Sequence, residues 1–463
     1  MTRNETLALA VALTLSALYA LPASAQTTEP SVEAEGTSAL PIAPPAVEEP
    51  PTPAEVPQPP EVEPEGVDEI TDLFTQGKFS ANLRFRYEFA DSENADASNA
   101  LTLRTRLGFA TAPVAGVNGF IELEDVHALD DNLYNAAGLN GEPQRTVIAD
   151  PQDTELNQLY AKWVVPSDVF GEDNDLVEGT TLIAGRQRII LDNARFVGNV
   201  GWRQNEQTFD AGVIDWKPAG LEKLDVFYAY VLEVNRIFGP DSGRDFDGDS
   251  HFLNASYTFD DVGKLSLFAY LLDFDNAAAF SSQTYGFLFT GDRPIDEDEG
   301  LSLAYAGSLA FQSDLGDNPN SYDALYANAE ATLKKKDLGA VGLGYELLGN
   351  DDDAGVAFQT PLATLHAFNG FADVFLNTPG GGLQDFYASV GKTLPYEIDA
   401  KVIGHLFFDS ADGDALGYEV DAVASKKIND HLTLLTKGAY FIGEESEGYS
   451  DIFRFWLQAD LSF

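Results

Sequence analysis

The residues of this 463-residue chain best suited to recognising charge stand in two short stretches. NLRFRYEF (82–89) holds Arg84 and Arg86, and LTLRTRLGF (101–109) holds Arg104 and Arg106. A guanidinium stays charged near neutral pH and presents five N–H donors in a planar fork that matches a carboxylate or phosphate. Arginines set two residues apart can therefore grip an anion together. More cations follow: Lys162 in QLYAKW, Arg186 and Arg188 in AGRQRI, and Arg203 in GWRQNE. Nine of the 14 arginines fall between Arg84 and Arg203, although the formal net charge of the chain is -48. The cations are few, and they are placed inside apolar sequence.

Other constellations carry less. DFDGDS sets Asp245, Asp247 and Asp249 at the first three ligand offsets of a calcium loop, but Ser250 stands where a glycine is needed and Ser256 where a bidentate glutamate is needed. This makes a weak calcium candidate and, more simply, a solvated outer loop. His127, His251, His366, His405 and His431 are isolated, without HExxH spacing, and no GxSxG elbow occurs. We therefore read no enzyme and no cofactor from the sequence. The chain has no cysteine, which removes disulfide and thiol chemistry.

The elements that carry the arginines show period-two alternation. In 79–90 one face reads Phe79, Ala81, Leu83, Phe85, Tyr87, Phe89 and the other Ser80, Asn82, Arg84, Arg86, Glu88. The last stretch alternates Phe453, Phe455, Leu457, Ala459, Leu461, Phe463 against Arg454, Trp456, Gln458, Asp460, Ser462. About 18 such segments follow one another from Lys78, most about nine to thirteen residues long. Soluble strands run about five or six residues, whereas strands that cross an outer membrane need about 9 to 11. The connections alternate as well. Long segments at 127–154, 190–206, 235–250 and 350–382 contrast with the short turns APVAG, KPAGLEK, DDVG, KKKDLG and NDH. The expected fold is all-β: a transmembrane antiparallel β-barrel of about 18 strands with long extracellular loops and short periplasmic turns.

An arginine at the bilayer midplane on the lipid side of a barrel costs about 2–4 kcal/mol, so the arginines are placed in the lumen. There they would line a permeation path, with Lys162, Arg186, Arg188 and Arg203 extending the cationic wall. The plainer reading pairs them with Glu88, Glu122, Glu124 and Asp210 as wall filling. Two loop stretches are unusually apolar. LATLHAFNGFADVFLNTP (362–379) could fold inward as a constriction or plug, with His366 and Phe371 near the pore axis, or pack as a rim; NARFVGNVGWRQNE (193–206) would set Trp202 and Arg203 near the mouth.

At the N-terminus, Arg3, an apolar run over 7–21 and Ala23-Ser24-Ala25 form the pattern of a secretory signal peptide, 1–25. Between Gln26 and Asp72 stand 12 acidic residues, many prolines and no Lys or Arg. Such a segment cannot bury enough apolar surface to offset its ordering entropy, so 26–72 is read as a disordered periplasmic spacer and 73–463 as the barrel. The acidity argues against nucleic acid as a partner.

AGRQRIILDNARFVGNVGWRQNEQTFDA (184–211) and FQTPLATLHAFNGFADVFLNTPGGGLQDFYASVG (358–391) resemble the bacterial alginate-export porin family, and the resemblance runs from about Phe79 to Phe463. It implies an 18-stranded barrel in the Gram-negative outer membrane, in contact with its lipid, whose lumen carries an arginine-rich constriction for an anionic polysaccharide. The terminal Phe463 resembles the signal read by the outer-membrane assembly machinery. The acidic loop residues Asp351, Asp352, Asp353, Asp412, Asp414, Glu444, Glu445 and Glu447 depart from a cationic channel and would repel alginate unless divalent ions screen them. The expected function is passive passage of small or oligomeric anionic sugars or acids. The alternative is a structural or adhesive barrel plugged by its loops.

Overall fold

The computed structural model of the chain describes residues 70–169, 174 and 177–463. The expected signal peptide and nearly all of the expected spacer lie outside the described residues. A short helix, Ile70–Thr75, crosses the expected boundary between spacer and barrel.

Eighteen strands make one sheet. The first nine are β1 Lys78–Ser92, β2 Ala95–Ala110, β3 Val117–Ala128, β4 Asp153–Val164, β5 Thr180–Gln187, β6 Thr208–Trp216, β7 Leu224–Asn235, β8 Phe246–Phe259 and β9 Gly263–Leu272. The others are β10 Ser282–Asp296, β11 Leu301–Asp314, β12 Asp323–Lys335, β13 Gly339–Leu348, β14 Leu383–Leu394, β15 Ile398–Phe408, β16 Ala415–Lys427, β17 Leu432–Gly443 and β18 Ile452–Ser462. Each strand pairs antiparallel with its sequence neighbours, and β18 pairs back onto β1 from Asn82↔Ser462 to Ser92↔Ile452. The sheet is closed, so no strand presents an unpaired edge to lipid. The expected barrel and its strand number are both found.

Alternation decides which side each residue takes. Along β1, Phe79 is 82% and Phe85 47% exposed, whereas Arg84 and Arg86 on either side of Phe85 are each 1% exposed. The outward face of the other strands repeats this with Leu107, Leu123, Leu159, Leu267, Leu343, Val390 and Leu406, all exposed. These residues make the apolar band of a membrane barrel, and the polar partners on each strand turn inward.

The end that carries the start of β1 and Phe463 has the short turns. There the helix Ile70–Thr75 is tied to the turn after β2, because the carbonyl of Leu73 accepts the backbone N–H of Ala112 at 2.9 Å. Phe74 lies parallel to Phe109, with ring centroids 6.4 Å apart. At the other end, residues 129–152, 188–207 and 349–382 are long connections, and they fold into the barrel. From the last two of these, Ile189, Val197, Trp202, Phe358, Leu362, Phe371 and Phe375 join inward-facing Phe209, Phe252, Phe268, Phe407, Phe441 and Trp456 in one buried cluster, while Tyr134 and Ile148 of 129–152 pack in a smaller one. The core of this protein therefore lies inside its lumen.

Close approach across the wall uses glycine. A Cβ on Gly344 of β13 would sit 2.1 Å from the Tyr387 ring of β14, its cross-strand neighbour. Gly344→Val is thus expected to displace Tyr387 from its hydrogen bond to Glu330 and to cost about 1–3 kcal/mol, the range for overpacking. The readout is the temperature at which the compact form of the barrel on a gel converts to the slow-migrating form. It should fall in Gly344→Val and recover in part when Tyr387→Ala is added.

A buried arginine wall beneath inward loops

The arginine wall starts from strand register. Arg84 stands opposite Arg104 on β2 and opposite Asp460 on β18. Arg86 stands opposite Thr102 and Gln458. Arg106 stands opposite Asn82 on β1 and Glu124 on β3. Odd spacing would have put half of these side chains in lipid, whereas even spacing gathers all of them on the inner side.

Each guanidinium then finds a different environment. Arg84 Nε donates to Asp460 Oδ1 at 2.8 Å, and its Nη1 donates to the carbonyl of Gly201 at 2.9 Å. Arg86 donates to Gln458 Oε1 at 2.8 Å and to the carbonyl of Trp202 at 2.6 Å, lies 3.5 Å from Asp150, and covers the Trp202 ring at 4.2 Å. Arg106 pairs with Glu124 and lies 3.5 Å from Glu206. Arg104 is different: Nη2 donates to Asn82 Oδ1 at 2.5 Å, while Nε and Nη1 have no hydrogen-bond partner. No carboxylate forms an ion pair with Arg104 among the described residues.

The other cations expected in this wall divide. Lys162 faces the lumen near the end of β4, on the same face as Gln158 and Tyr160. Arg188 turns inward and pairs with Glu206, with Glu122 at 3.6 Å. Arg186 does not join it. β5 ends at Gln187, so the alternation that would have aligned Arg186 with Arg188 stops between them. Arg186 takes the face of β5 that carries exposed Ala184, opposite exposed Leu159, and there binds Asp210 at 2.7 and 3.0 Å. It lies on the outer side of the wall. Glu206 sits between Arg106 and Arg188, and although burial pushes its carboxyl up, those two charges hold it below the usual carboxylate range.

Arg203 lies deeper than a mouth position. It reaches Glu88 on β1 at 3.4 Å and also pairs with Asp373 of the other inward segment, 349–382. The two segments meet backbone to backbone as well: Gly198 N–H donates to the Leu362 carbonyl at 2.9 Å, and Thr364 N–H donates to the Ala194 carbonyl at 3.0 Å. Between them lies a stack that the sequence only partly signalled. Trp202 is parallel to His366 at 4.6 Å, and Lys437 of β17 rests 3.7 Å from the ring centres of both Trp202 and Phe371. Lys437 Nζ can only donate, so His366 Nε2 accepts it at 3.1 Å, and the Nδ1 proton goes to Asp373 at 2.7 Å. His366 is neutral in this setting, because burial lowers its pKa from 6.5 to about 3. The 362–379 stretch is therefore an inward element, with His366 and Phe371 inside the barrel rather than on a rim.

The weak calcium candidate does not assemble. Asp245 Oδ1 accepts the Arg236 N–H at 2.7 Å, Asp247 accepts Asn276 at 3.0 Å, and Asp249 takes the Tyr230 hydroxyl. Asp247 and Asp249 belong to β8 rather than to a loop, which prevents the wrap that a calcium loop needs. Among the described residues no group of His, Cys, Asp and Glu could hold a metal ion.

Two measurements test this site. Arg203→Ala leaves Glu88 and Asp373 short of a buried partner, a loss of about 3–5 kcal/mol for a broken buried pair, and should free the inward segments. Protease cleavage within 188–207 of the folded barrel should become faster. The second concerns His366. Its folded pKa lies below its unfolded value, so its contribution to stability is complete above about 6.5 and is lost as pH falls toward about 3. The conversion temperature of the folded barrel should drop across that window in the wild type, and drop less in His366→Gln.

Residues 75–270 match the family described as alginate export. The comparison with curated proteins finds no match. Among solved structures, Pseudomonas aeruginosa OccK1 (OpdK) superposes with a TM-score of 0.64 at 12% identity, covering 84% of this chain and 99% of that one. Acinetobacter baumannii OccAB3 gives 0.63 at 12%, with 84% and 99% covered. Pseudomonas aeruginosa OpdL gives 0.62 at 15%, with 84% and 99% covered. Identities this low carry the fold alone, and the fold they carry is the barrel built above. The chain folds as an 18-stranded antiparallel β-barrel like those solved porins, and its residues 75–270 match the alginate-export family.

Proposed function

We propose that this barrel passes small anionic solutes, sugars or acids, across the outer membrane, with oligosaccharide export as a subcase. The observation that carries the reading is Arg104. It is 1% exposed, has two guanidinium nitrogens without a hydrogen-bond partner, and stands in register with a second arginine. Such a group is costly to keep unless something occupies it, and a passing carboxylate or sulfate would supply the acceptors. Arg106 adds Nη1 and Nη2, and Arg86 adds Nη1, all likewise without hydrogen-bond partners. A barrel of similar fold, Pseudomonas aeruginosa OpdK, has been solved with vanillate, a small carboxylate. Lys162 would extend the cationic wall toward the periplasm, and Arg186 takes no part.

We read Phe463, which stacks on His431 at 5.1 Å at the open end of β18, as the contact for the outer-membrane assembly machinery. In this reading the acidic N-terminal segment lies in the periplasm, which the start of β1 on the side of the short turns supports. No residue is assigned a catalytic role.

A second reading has its own support. Arg84, Arg86, Arg104 and Arg106 are each 1% exposed beneath the inward segments, which suits a structural barrel that its loops keep closed. Conductance in planar bilayers separates the two. The channel reading expects discrete steps, and their absence with verified insertion would leave the closed barrel. It also expects Arg104→Gln to move the reversal potential toward cation selectivity. Removing one charge in contact with the permeating ion at about 4 Å is worth about 1 kcal/mol even in water, or about fivefold in the anion-to-cation permeability ratio. An unchanged ratio in a correctly folded variant would return Arg104 to the role of wall filling.

A further inference from the structure

We propose that the acidic N-terminal segment of this chain, residues 26–69, docks on a lysine-rich sector of the periplasmic rim formed by the turns after β12, β14 and β16. The first observation is a segregation of the two basic residue types. Apart from Lys437, every lysine of the chain lies in, beside or within four residues of a turn at the end that carries the start of β1 and Phe463, or at that start itself. Of the arginines in the described residues, only Arg293 lies near that end. Arginine serves the buried bidentate contacts, and lysine is left for the wet rim.

The rim is also uneven around its circumference. The sector from β12 to β17 carries Lys334, Lys335, Lys336, Lys392, Lys401, Lys426 and Lys427 against Asp337, Glu397, Asp399 and Asp430. The turns after β8 and β10 are acidic instead, with Asp260, Asp261, Glu297, Asp298 and Glu299. Within the basic sector, Lys335 pairs with Glu299 at 2.9 Å and Lys427 with Asp430 at 2.9 Å. Exposed Lys336 and Lys392 and half-exposed Lys426 form no ion pair among the described residues.

The chain supplies a complementary occupant. Residues 26–69 hold eleven acidic residues and no basic one. They lead into the helix Ile70–Thr75, which the Leu73 carbonyl pins to the turn after β2. From that turn to the one after β16 the rim crosses about four strand spacings, on the order of 20 Å. At ~3.1 Å per residue a fully stretched chain of this length could reach about 130 Å, so reach is no obstacle. Covalent attachment raises its local concentration at the rim to the order of millimolar, enough for weak, salt-sensitive pairing to matter. The acidic turns on the other side repel it, which leaves the β12–β17 sector as its seat. The proposal rests on the orientation of the barrel and is independent of what the lumen carries.

Zero-length carbodiimide cross-linking of the full-length protein tests it, because this chemistry joins only carboxylates and amines already in contact. Cross-links should form between acidic residues of 26–69 and Lys336, Lys392 or Lys426 at low salt, and fall several-fold in 1 M sodium chloride. The triple variant Lys336→Glu, Lys392→Glu, Lys426→Glu should lose them while its heat-modifiable mobility on gels stays that of the wild type. Links spread equally to Lys217 and Lys223 and indifferent to the charge reversal would overturn the proposal. Loss of the links on reconstitution into phosphatidylglycerol nanodiscs would overturn it too, since lipid phosphates would then be the true occupant. Conductance of the same samples reports separately on the channel reading.

Discussion

Everything in this molecule follows from the absence of water in the bilayer core, which forbids a sheet with a free edge. The chain meets that constraint at one seam, where β18 returns to β1. Backbone pairing closes the cylinder, and side chains staple it from within: Arg84 to Asp460 and Arg86 to Gln458, both at 2.8 Å across the seam. The last residue adds the Phe463 N–H to the Ala81 carbonyl at 2.9 Å. The two arginines of the first strand thus have a structural task before any other. Their side chains tie the first strand to the last, which lies 376 residues away from Arg84 at Asp460.

Closing the cylinder creates a second problem, an interior that must be filled or left wet. Here two long connections, 188–207 and 349–382, are drawn inward, and their aromatic residues build a core in the lumen. The charged residues that meet this core are buried with partners, as burial requires. Arg195 reaches Glu346 at 2.7 Å, Arg454 reaches Glu88 at 3.1 Å, and Lys437 settles on aromatic faces beside a neutral His366. Inward loops and wall are thereby one packed unit, held by ion pairs that cross from loop to strand.

Within that unit the pairing is not complete. Arg104 stands against Arg84 in the register and has Asn82 where its neighbours have carboxylates. Arg86 and Arg106 also keep nitrogens without hydrogen-bond partners, and it is this unsaturated cluster that the proposed anion passage would use. Local placement therefore sets the electrostatics around Arg104, while the total charge of -48 is spread over the interior, the loops, the rim and the N-terminal segment.

The sequence by itself determined the class of fold, the strand number and which face of β1, β2 and β18 meets lipid, because a period of two fixes side and a strand of membrane length leaves little freedom. It also determined that Arg84, Arg86, Arg104 and Arg106 point inward. It could not decide what they meet there. The partners of Arg84 and Arg86 come from β18 and from residues 201–203, far along the chain, and no local pattern encodes such contacts. The separation of Arg186 from Arg188 depended on where β5 stops, which alternation cannot locate. Trp202 and Arg203 read as mouth residues and lie deep in the lumen, because apolar loop residues find their only dry environment inside the cylinder. Direction along each strand was legible in the chain, and only the closed barrel decided which residues share its interior.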